Sequence, residues 1–207
     1  DDAFTHTLIE MFMVEANEAA ARVFDSLTVP MIRRTHADPP SHDLTELRQF
    51  ARVAGFNVPA NPTRKELQAL LDSVRGKPAQ HAVHLAVLQT LARAEYSPVL
   101  IGHFALASEH YTHFTSPIRR YPDLIVHRGL DAYLQLKQEL KAQKHAKDKL
   151  GRSLREHPHL PGEEQLHELG RHCSTTERNA AAAESDLRTY LVLDLLSSHL
   201  GDDVAGT

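Results

Sequence analysis

The stretch Tyr111-Thr-His-Phe-Thr-Ser-Pro-Ile-Arg-Arg-Tyr-Pro-Asp-Leu-Ile-Val-His-Arg128 places two adjacent arginines on a Ser-Pro turn immediately before a predicted helix. That helix is expected to begin near Pro122 or Asp123, because proline is tolerated at the first helical position. An arginine guanidinium offers a planar fork of donors that matches the oxygens of a phosphodiester, and a helix N-terminus adds unpaired N–H groups. The stretch therefore predicts a phosphate-binding site at the start of a long helix.

The two arginines allow two interpretations. Neighbouring residues point in different directions, so Arg119 can face a ligand while Arg120 pairs with the carboxylate of Asp123. In the alternative, both arginines belong to a surface network of ion pairs. Thr115 and Ser116 favour the phosphate site, because their hydroxyls lie beside the cations on a turn fixed by proline.

Apolar residues recur at helical spacing on both sides of this stretch. Capping-box pairs, in which a Thr or Ser precedes a Glu by three residues, predict helix starts at Thr7, Thr63 and Ser174. The predicted helices span 7–29, 43–54, 63–75, 83–91, 122 into the charged segment 137–149, and 174–200. The segment 99–107 is the best candidate for a buried strand. The fold class is therefore α+β, predominantly helical, with a minor strand component near 99–115.

Composition excludes several classes of protein. The net charge of -4 over 207 residues argues against a protein that coats nucleic acid through bulk positive charge, so any phosphate binding depends on local arginines. The apolar runs are too short to span a membrane, and no secretion signal is evident. The single cysteine, Cys173, fits a reducing compartment, which predicts a cytoplasmic location.

Fifteen histidines raise the question of a transition-metal site, with His103, His110, His113 and His127 as the candidates. These residues show neither the helix-face spacing of two ligands nor neighbouring cysteines. We therefore interpret them as hydrogen-bonded structural residues or as neutral donors to a ligand, and we predict no metal ligand in this chain.

Two polar residues interrupt runs of small or apolar side chains. Glu184 follows the alanines at 180–183, whose small side chains let a ligand or another backbone come close. An exposed helix glutamate is the ordinary interpretation. Asn17, among the alanines of the first helix, is interpreted as a buried polar group that organises packing rather than as a catalytic residue.

The stretch 111–128 resembles the signature of the ribonuclease II and ribonuclease R family, in which it closes the catalytic RNB domain. Further segments are similar to family elements: 8–17 to the LIEEFMLxAN helix, 34–39 to the RVHxxP turn, 94–97 to AxYS, 102–107 to GHFGLA, and 183–186 to an Ala-Glu-x-Asp step in the closing helix. Ala105 departs from the glycine of GHFGLA. The resemblance therefore covers nearly the whole chain.

The resemblance implies the C-terminal part of an RNB domain over residues 1–200, with 201–207 beginning a linker to an OB-fold module. It also implies processive 3′-to-5′ hydrolysis of RNA to nucleoside 5′-monophosphates. Magnesium would be held by aspartates upstream of this chain, so the chain alone is expected to be inactive. Its partners would be single-stranded RNA, the upstream half of the domain and flanking OB-folds, with no membrane.

Site residues carry over by position. Arg119 matches the catalytic arginine that stabilises charge on the scissile phosphate. We assign five residues to RNA binding: Thr115, Ser116, Glu184, His103 and Arg34. For Glu184 the resemblance implies a contact to the terminal nucleotides through ribose hydroxyls. Four residues are assigned to support of the loop: Arg120, Asp123, His127 and Arg128.

Two other functions remain open at this point. A homologue that has lost catalysis and acts as an RNA-binding or scaffolding module would have the same sequence here, and the aspartates upstream of this chain distinguish it from an enzyme. A histidine-rich metal-binding helical domain would instead carry stoichiometric zinc or nickel.

Overall fold

The computed structural model describes residues 3–53, 55–140 and 146–201, which form seven helices and one short sheet. The elements are α1 (Ala3–Ser26), β1 (Arg33–Thr35), α2 (Ser41–Val53), α3 (Arg64–Ser73), α4 (Gln80–Thr90), β2 (Glu95–Ser97), α5 (Tyr121–Leu140), α6 (Ala146–Arg155) and α7 (Glu163–Ser197). The α+β class and the predominance of helix are confirmed. The predicted continuation of the 122 helix through 141–145 lies outside the described residues.

The sheet consists of β1 and β2, which pair antiparallel with Arg34 opposite Tyr96. The strand predicted at 99–107 is wrong in position, since β2 ends before it begins. In that segment Val99 is exposed and His103 forms only single bridges, while a short 3₁₀ turn covers Phe104–Leu106. The physical reason is Gly102, whose φ of +75° breaks the extended backbone.

The larger core lies between the C-terminal half of α1, the sheet, α5, α6 and the N-terminal part of α7. Its most buried members include Phe24, Ile32, Leu154 and Leu166. α7 approaches β2 so closely that a Cβ at Gly170 would lie 2.4 Å from the carbonyl oxygen of Tyr96. Only glycine permits this approach, which places the following turns of α7 beside the sheet.

A smaller core lies between α2, α3 and α4, around Leu47, Val74 and Val83. Here the capping box predicted at Thr63 is confirmed. The backbone N–H of Glu66 donates to Thr63 Oγ1 at 3.3 Å, and the Glu66 carboxylate accepts from the N–H of Thr63 at 2.7 Å. α3 therefore begins where its local sequence indicated.

The capping boxes predicted at Thr7 and Ser174 are wrong. Both residues lie inside longer helices, because α1 already begins at Ala3 and α7 at Glu163. The hydroxyl of Thr7 donates to the carbonyl of Ala3 at 2.8 Å, and Ser174 Oγ accepts from the N–H of Tyr96 at 2.9 Å. Each hydroxyl thus forms a hydrogen bond that the capping-box pattern does not predict.

Two helical surfaces expose large apolar side chains beyond both cores. On the N-terminal half of α1 they are Phe4, Leu8, Ile9, Met11 and Phe12. On the C-terminal part of α7 and just after it they are Leu187, Tyr190, Leu191, Val192, Leu193, Leu195, Leu196 and Leu200. In the ranges that the structure describes, no helix is both long enough and apolar enough to cross a bilayer.

Candidate functional site

The arginine loop, defined as residues 111–120, leads directly into α5. The carbonyl oxygen of Ser116 accepts from the backbone N–H groups of Arg119 at 3.3 Å and Arg120 at 3.1 Å, which closes a tight turn. Ile118 is 102 % exposed at the apex of this turn, and Arg119 is exposed beside it. The loop therefore presents the Arg119 guanidinium on an open surface.

Asp123 anchors the loop from the first turn of α5. Its carboxylate is fully buried, and Oδ1 accepts from the N–H of Ser116 at 2.8 Å and from Arg120 Nη2 at 2.8 Å. Arg120 thus neutralises a buried charge while its neighbour Arg119 faces outward. A buried ion pair of this kind is costly to break, because removing one partner leaves the other charge uncompensated.

His127, one turn further along α5, supports the base of the loop. Its Nε2–H donates to the carbonyl oxygen of Phe114 at 2.9 Å, and the two rings stack with centroids 4.4 Å apart. Arg128 points elsewhere: it is exposed and lines a surface cleft with Asp131 and His157. Among the described residues Arg128 makes no hydrogen bond to the loop, so its supporting role stays a prediction.

Asn17 reaches the loop from α1. Its Oδ1 accepts from the backbone N–H groups of Phe114 at 2.8 Å and Thr115 at 3.2 Å, and its Nδ2 donates to Tyr111 Oη at 3.1 Å. Sequence reasoning assigned Asn17 to packing and missed these contacts. The available signal was a polar residue on the face that also carries Ala20, Ala21 and Phe24, at intervals of three, four and seven residues.

Aromatic and histidine rings cluster at the start of the arginine loop, where Tyr111 and His113 meet Tyr96 and His103. Tyr96 Oη and His113 Nδ1 are 2.9 Å apart, and Tyr111 packs edge-on against His103 and His113. Burial, followed by the charges of Arg120 and Arg34, lowers the pKa of His113 to about 3. Burial and the neighbouring His36 lower the pKa of His103 to about 4. Both imidazoles are therefore neutral near pH 7.

Arg34 connects the loop to α7. Its backbone N–H donates to the carbonyl of Tyr111 at 3.2 Å, and its guanidinium forms a fork with the Glu177 carboxylate at 2.6 and 3.1 Å. The same guanidinium lies 4.6 Å from the centroid of the Tyr96 ring, which gives a cation–π contact. Arg34 is thus already engaged by protein groups.

Glu184 follows Glu177 by seven residues in α7 and therefore lies on the same helix face, about 10 Å further along the axis. Its side chain is exposed, and it forms no hydrogen bond or ion pair within the described part of the chain. Between β2 and this face a cleft of about 650 Å³ is lined by Arg34, Glu177 and Asp186, among others. Glu184 itself is not among the residues that line this cleft.

The two loop hydroxyls differ in environment. Thr115 Oγ1 is shielded from solvent and has no hydrogen-bond partner in the described ranges. Ser116 is half-buried. Its backbone N–H donates to Asp123, and its carbonyl oxygen accepts from Arg119 and Arg120. Their role in RNA binding stays a prediction.

The residues that the structure describes do not fit a magnesium site. Magnesium is held through oxygen ligands, mainly carboxylates and waters. In residues 3–53, 55–140 and 146–201, no three His, Cys, Asp or Glu side chains are grouped to hold a metal ion. Asp123, the buried carboxylate at the arginine loop, is already paired with the Arg120 cation. The four candidate histidines likewise form no metal-binding group here.

Comparison with known proteins gives the family. A family model described as the RNB domain matches residues 1–136. The chain belongs to the RNB family. Ribonuclease R of Thermotoga maritima is 36% identical over 199 residues, which are 94% of this chain and 26% of that protein. The chain thus spans about a quarter of the length of this relative. The resemblance seen in the sequence is confirmed.

Solved structures agree with this RNB assignment. Mycoplasma genitalium RNase R in complex with ribose-methylated single-stranded RNA matches with a TM-score of 0.75 and 28% identity, over 95% of this chain and 29% of that one. The same protein in complex with double-stranded RNA also gives 0.75. The yeast pseudonuclease Ssd1 matches at 0.59 and 22% identity over 80% of this chain and 19% of its own, which shows the fold alone.

Proposed function

We propose that the full-length protein containing this chain is a 3′-to-5′ hydrolytic exoribonuclease that degrades RNA processively to nucleoside 5′-monophosphates. The observation that carries the proposal is the exposed Arg119 at the apex of a loop whose backbone is fixed by buried polar groups. The family membership supports it, because the curated relative that matches over 94% of this chain is named Ribonuclease R. This chain supplies the arginine side of the active site.

The proposed role of Arg119 is electrostatic. A planar guanidinium can donate two parallel hydrogen bonds to a phosphate, and its charge opposes the negative charge that builds on the scissile group. Such a donor is effective when it is already in place, since no reorganisation is needed during the reaction. The tight turn at Ser116 and the buried anchor at Asp123 provide that placement.

The remaining site residues are proposed RNA contacts. Glu184 would accept hydrogen bonds from ribose hydroxyls, a contact that distinguishes RNA from DNA. Ser116 and Thr115 would contact phosphate, and neutral His103 would act as a donor. Because Glu177 occupies the fork of Arg34 and offsets its charge, an RNA contact by Arg34 would use the N–H groups that face away from that carboxylate.

Magnesium belongs to the proposal for the whole protein, held by residues outside this chain. We accordingly expect the 207-residue chain alone to be inactive. A cytoplasmic location also stays a prediction.

The proposed protein partners are the upstream half of the catalytic domain and flanking OB-fold modules, with residues 1–200 forming the C-terminal part of the RNB domain and 201–207 starting a linker. The exposed apolar surfaces of α1 and α7 support this arrangement. Contiguous apolar surface of this extent usually marks an interface. We propose that these two surfaces are covered by the rest of the protein.

An inactive RNA-binding or scaffolding homologue is the second candidate. The likeness to yeast Ssd1 shows that the fold also occurs in a protein called a pseudonuclease. RNA binding by the full-length protein without any degradation would favour this candidate.

The test uses the full-length protein and a single-stranded oligoribonucleotide labelled at its internal phosphates, with products separated over time. We expect nucleoside 5′-monophosphates from the first turnovers. Arg119→Ala should lower kcat by about a hundredfold or more while RNA affinity is largely retained, because loss of one such donor has a cost of that order.

Arg75→Ala is the matched control, since Arg75 is an exposed arginine that pairs with Asp72 on α3. It should degrade RNA at the parental rate. A parental rate for Arg119→Ala would contradict the role of Arg119.

A further inference from the structure

We propose that Asn17 is a positioning residue for Arg119, which holds the arginine loop in the conformation that presents the guanidinium to RNA. The inference rests on the proposed function, because it assigns a partner to the same site. Asn17 is only 3 % exposed and lies on α1, remote in sequence from the loop. It acts through the backbone of the loop and does not contact the substrate.

Three consecutive backbone N–H groups in the loop donate to side chains rather than to secondary structure. Those of Phe114 and Thr115 donate to Asn17 Oδ1, and that of Ser116 donates to Asp123 Oδ1. The next carbonyl, that of Ser116, closes the turn that carries Arg119. Side chains of two helices therefore hold the backbone that leads into this turn. Asn17 holds it from α1, and Asp123 holds it from α5.

The orientation of the Asn17 amide is itself determined. Its Nδ2 donates to Tyr111 Oη, and Tyr111 is 7 % exposed and held between the rings of His103 and His113. A flipped amide would place its NH₂ group against two N–H donors of the loop. The two backbone donors therefore fix the orientation of the amide, and the Tyr111 hydroxyl, which can donate or accept, holds its other end.

A purely structural role would predict a different result from a positioning role. If Asn17 only contributed to folding, its loss would lower stability and the fraction of active protein, with the kinetic constants of the folded fraction unchanged. If it positions Arg119, its loss lowers kcat of the folded protein with little change in KM, because the ground-state contacts of the RNA lie elsewhere.

The first variant is Asn17→Leu in the full-length protein, which keeps the branching at Cγ and removes the acceptor. We expect kcat on a single-stranded oligoribonucleotide to fall about tenfold or more, with KM little changed, because two N–H groups lose their partner. Asn17→Asp retains the acceptor and can also accept from the Tyr111 hydroxyl, so it should recover most of kcat.

The control variant is Thr90→Val, which removes a buried hydroxyl that donates to the carbonyl of Val87 in α4, within the smaller core. It should lower stability without changing kcat. If Asn17→Leu does not fold, Tyr111→Phe provides the test, since it removes only the hydroxyl that holds the far end of the Asn17 amide. A smaller, severalfold decrease of kcat is then expected, and an unchanged kcat would overturn the proposal.

A double variant shows whether Asn17 acts through Arg119. We expect Asn17→Leu combined with Arg119→Ala to be no slower than Arg119→Ala alone. Additive losses would overturn the proposal, as would an Asn17→Leu protein with parental kcat. If Arg119→Ala itself keeps the parental rate, the proposed function of Arg119 fails instead, so the two failures are distinguishable.

Discussion

The arginine loop and the part of α7 that carries Glu184 are held in opposite ways. The loop is fixed within this chain, by Asn17 from α1 and by Asp123 and His127 from α5. Beyond Ser174, every residue of α7 is exposed. The difference teaches that contacts within this chain fix the loop that carries Arg119. The described residues provide no packing partner for Glu184.

The two regions are connected by the ion pair between Arg34 and Glu177. It ties the base of the loop to α7 at the last turn that packs on β2. Glu184 projects from the same face two turns later. We propose that the two regions lie on neighbouring sides of one RNA-binding site. The arginine loop is held by this chain alone, whereas the α7 side is completed by the rest of the protein.

The largest effect is expected from Asp123→Ala, which tests whether the loop is fixed from within. The change leaves Arg120 without its carboxylate and the N–H of Ser116 without its acceptor. Breaking a buried ion pair by removing one partner costs about 3–5 kcal/mol. Chemical denaturation of the full-length protein measures the loss.

Asp123→Asn keeps an oxygen acceptor and should lose less stability than Asp123→Ala. Asp72→Ala is the matched control, because Asp72 is an exposed carboxylate paired with Arg75. It should change the free energy of unfolding by no more than about 0.5 kcal/mol. Equal effects of Asp123→Ala and Asp72→Ala would show that the loop is not anchored as described.

An intermediate effect is expected from Glu184→Ala, which tests the exposed wall. Stability should be unchanged, because the side chain contacts no described residue. The value of kcat/KM on RNA should fall roughly ten- to a hundredfold, the cost of hydrogen bonds to a charged group. The assay compares oligonucleotides with a ribose or a 2′-deoxyribose at the 3′-terminal nucleotide.

Glu168→Ala serves as the control, since Glu168 is an exposed glutamate on the N-terminal part of α7. It should behave as the parent. The ribose contact would be wrong if Glu184→Ala lowered kcat/KM equally on both substrates.

The smallest effect concerns His113, a buried ring near the start of the arginine loop. Burial and nearby arginines lower its folded-state pKa to about 3, from about 6.5 in the unfolded chain. As the pH falls, His113 is protonated in the unfolded chain before it is protonated in the folded protein. The contribution of the neutral, buried His113 to the free energy of unfolding is therefore present above pH 6.5 and is lost as the pH falls toward 3. NMR titration of the full-length protein should show a histidine ring whose signals still have neutral chemical shifts at pH 5. This ring is assigned to His113 by the loss of its signals in His113→Gln. Titration near pH 6.5 would contradict the burial described here.

Local patterns predicted those parts of the fold that depend on local physics. The capping box at Thr63 formed because its helix begins at that residue, whereas the same pattern at Ser174 failed. There the hydroxyl bonds to the N–H of Tyr96 across the interface between α7 and β2. The strand was misplaced because alternating and continuous apolar runs do not reveal where Gly102 turns the backbone.

The site shows the same division. The motif located Arg119 and the carboxylate of Asp123, which are close in sequence. The contact of Asn17 with Phe114 joins residues 97 apart, and the fork between Arg34 and Glu177 joins residues 143 apart. No spacing rule encodes such contacts, since they arise only when α1, the sheet and α7 pack together.

The central claim is that Arg119 and Glu184 face the same terminal nucleotide from two walls. The most direct measurement is a structure of the full-length protein with a hydrolysis-resistant single-stranded oligoribonucleotide. We expect a guanidinium nitrogen of Arg119 about 2.9 Å from an oxygen of the scissile phosphate, and Glu184 at hydrogen-bond distance from a terminal ribose hydroxyl. An Arg119 side chain paired with a protein carboxylate, with the RNA 3′ end bound elsewhere, would contradict the account.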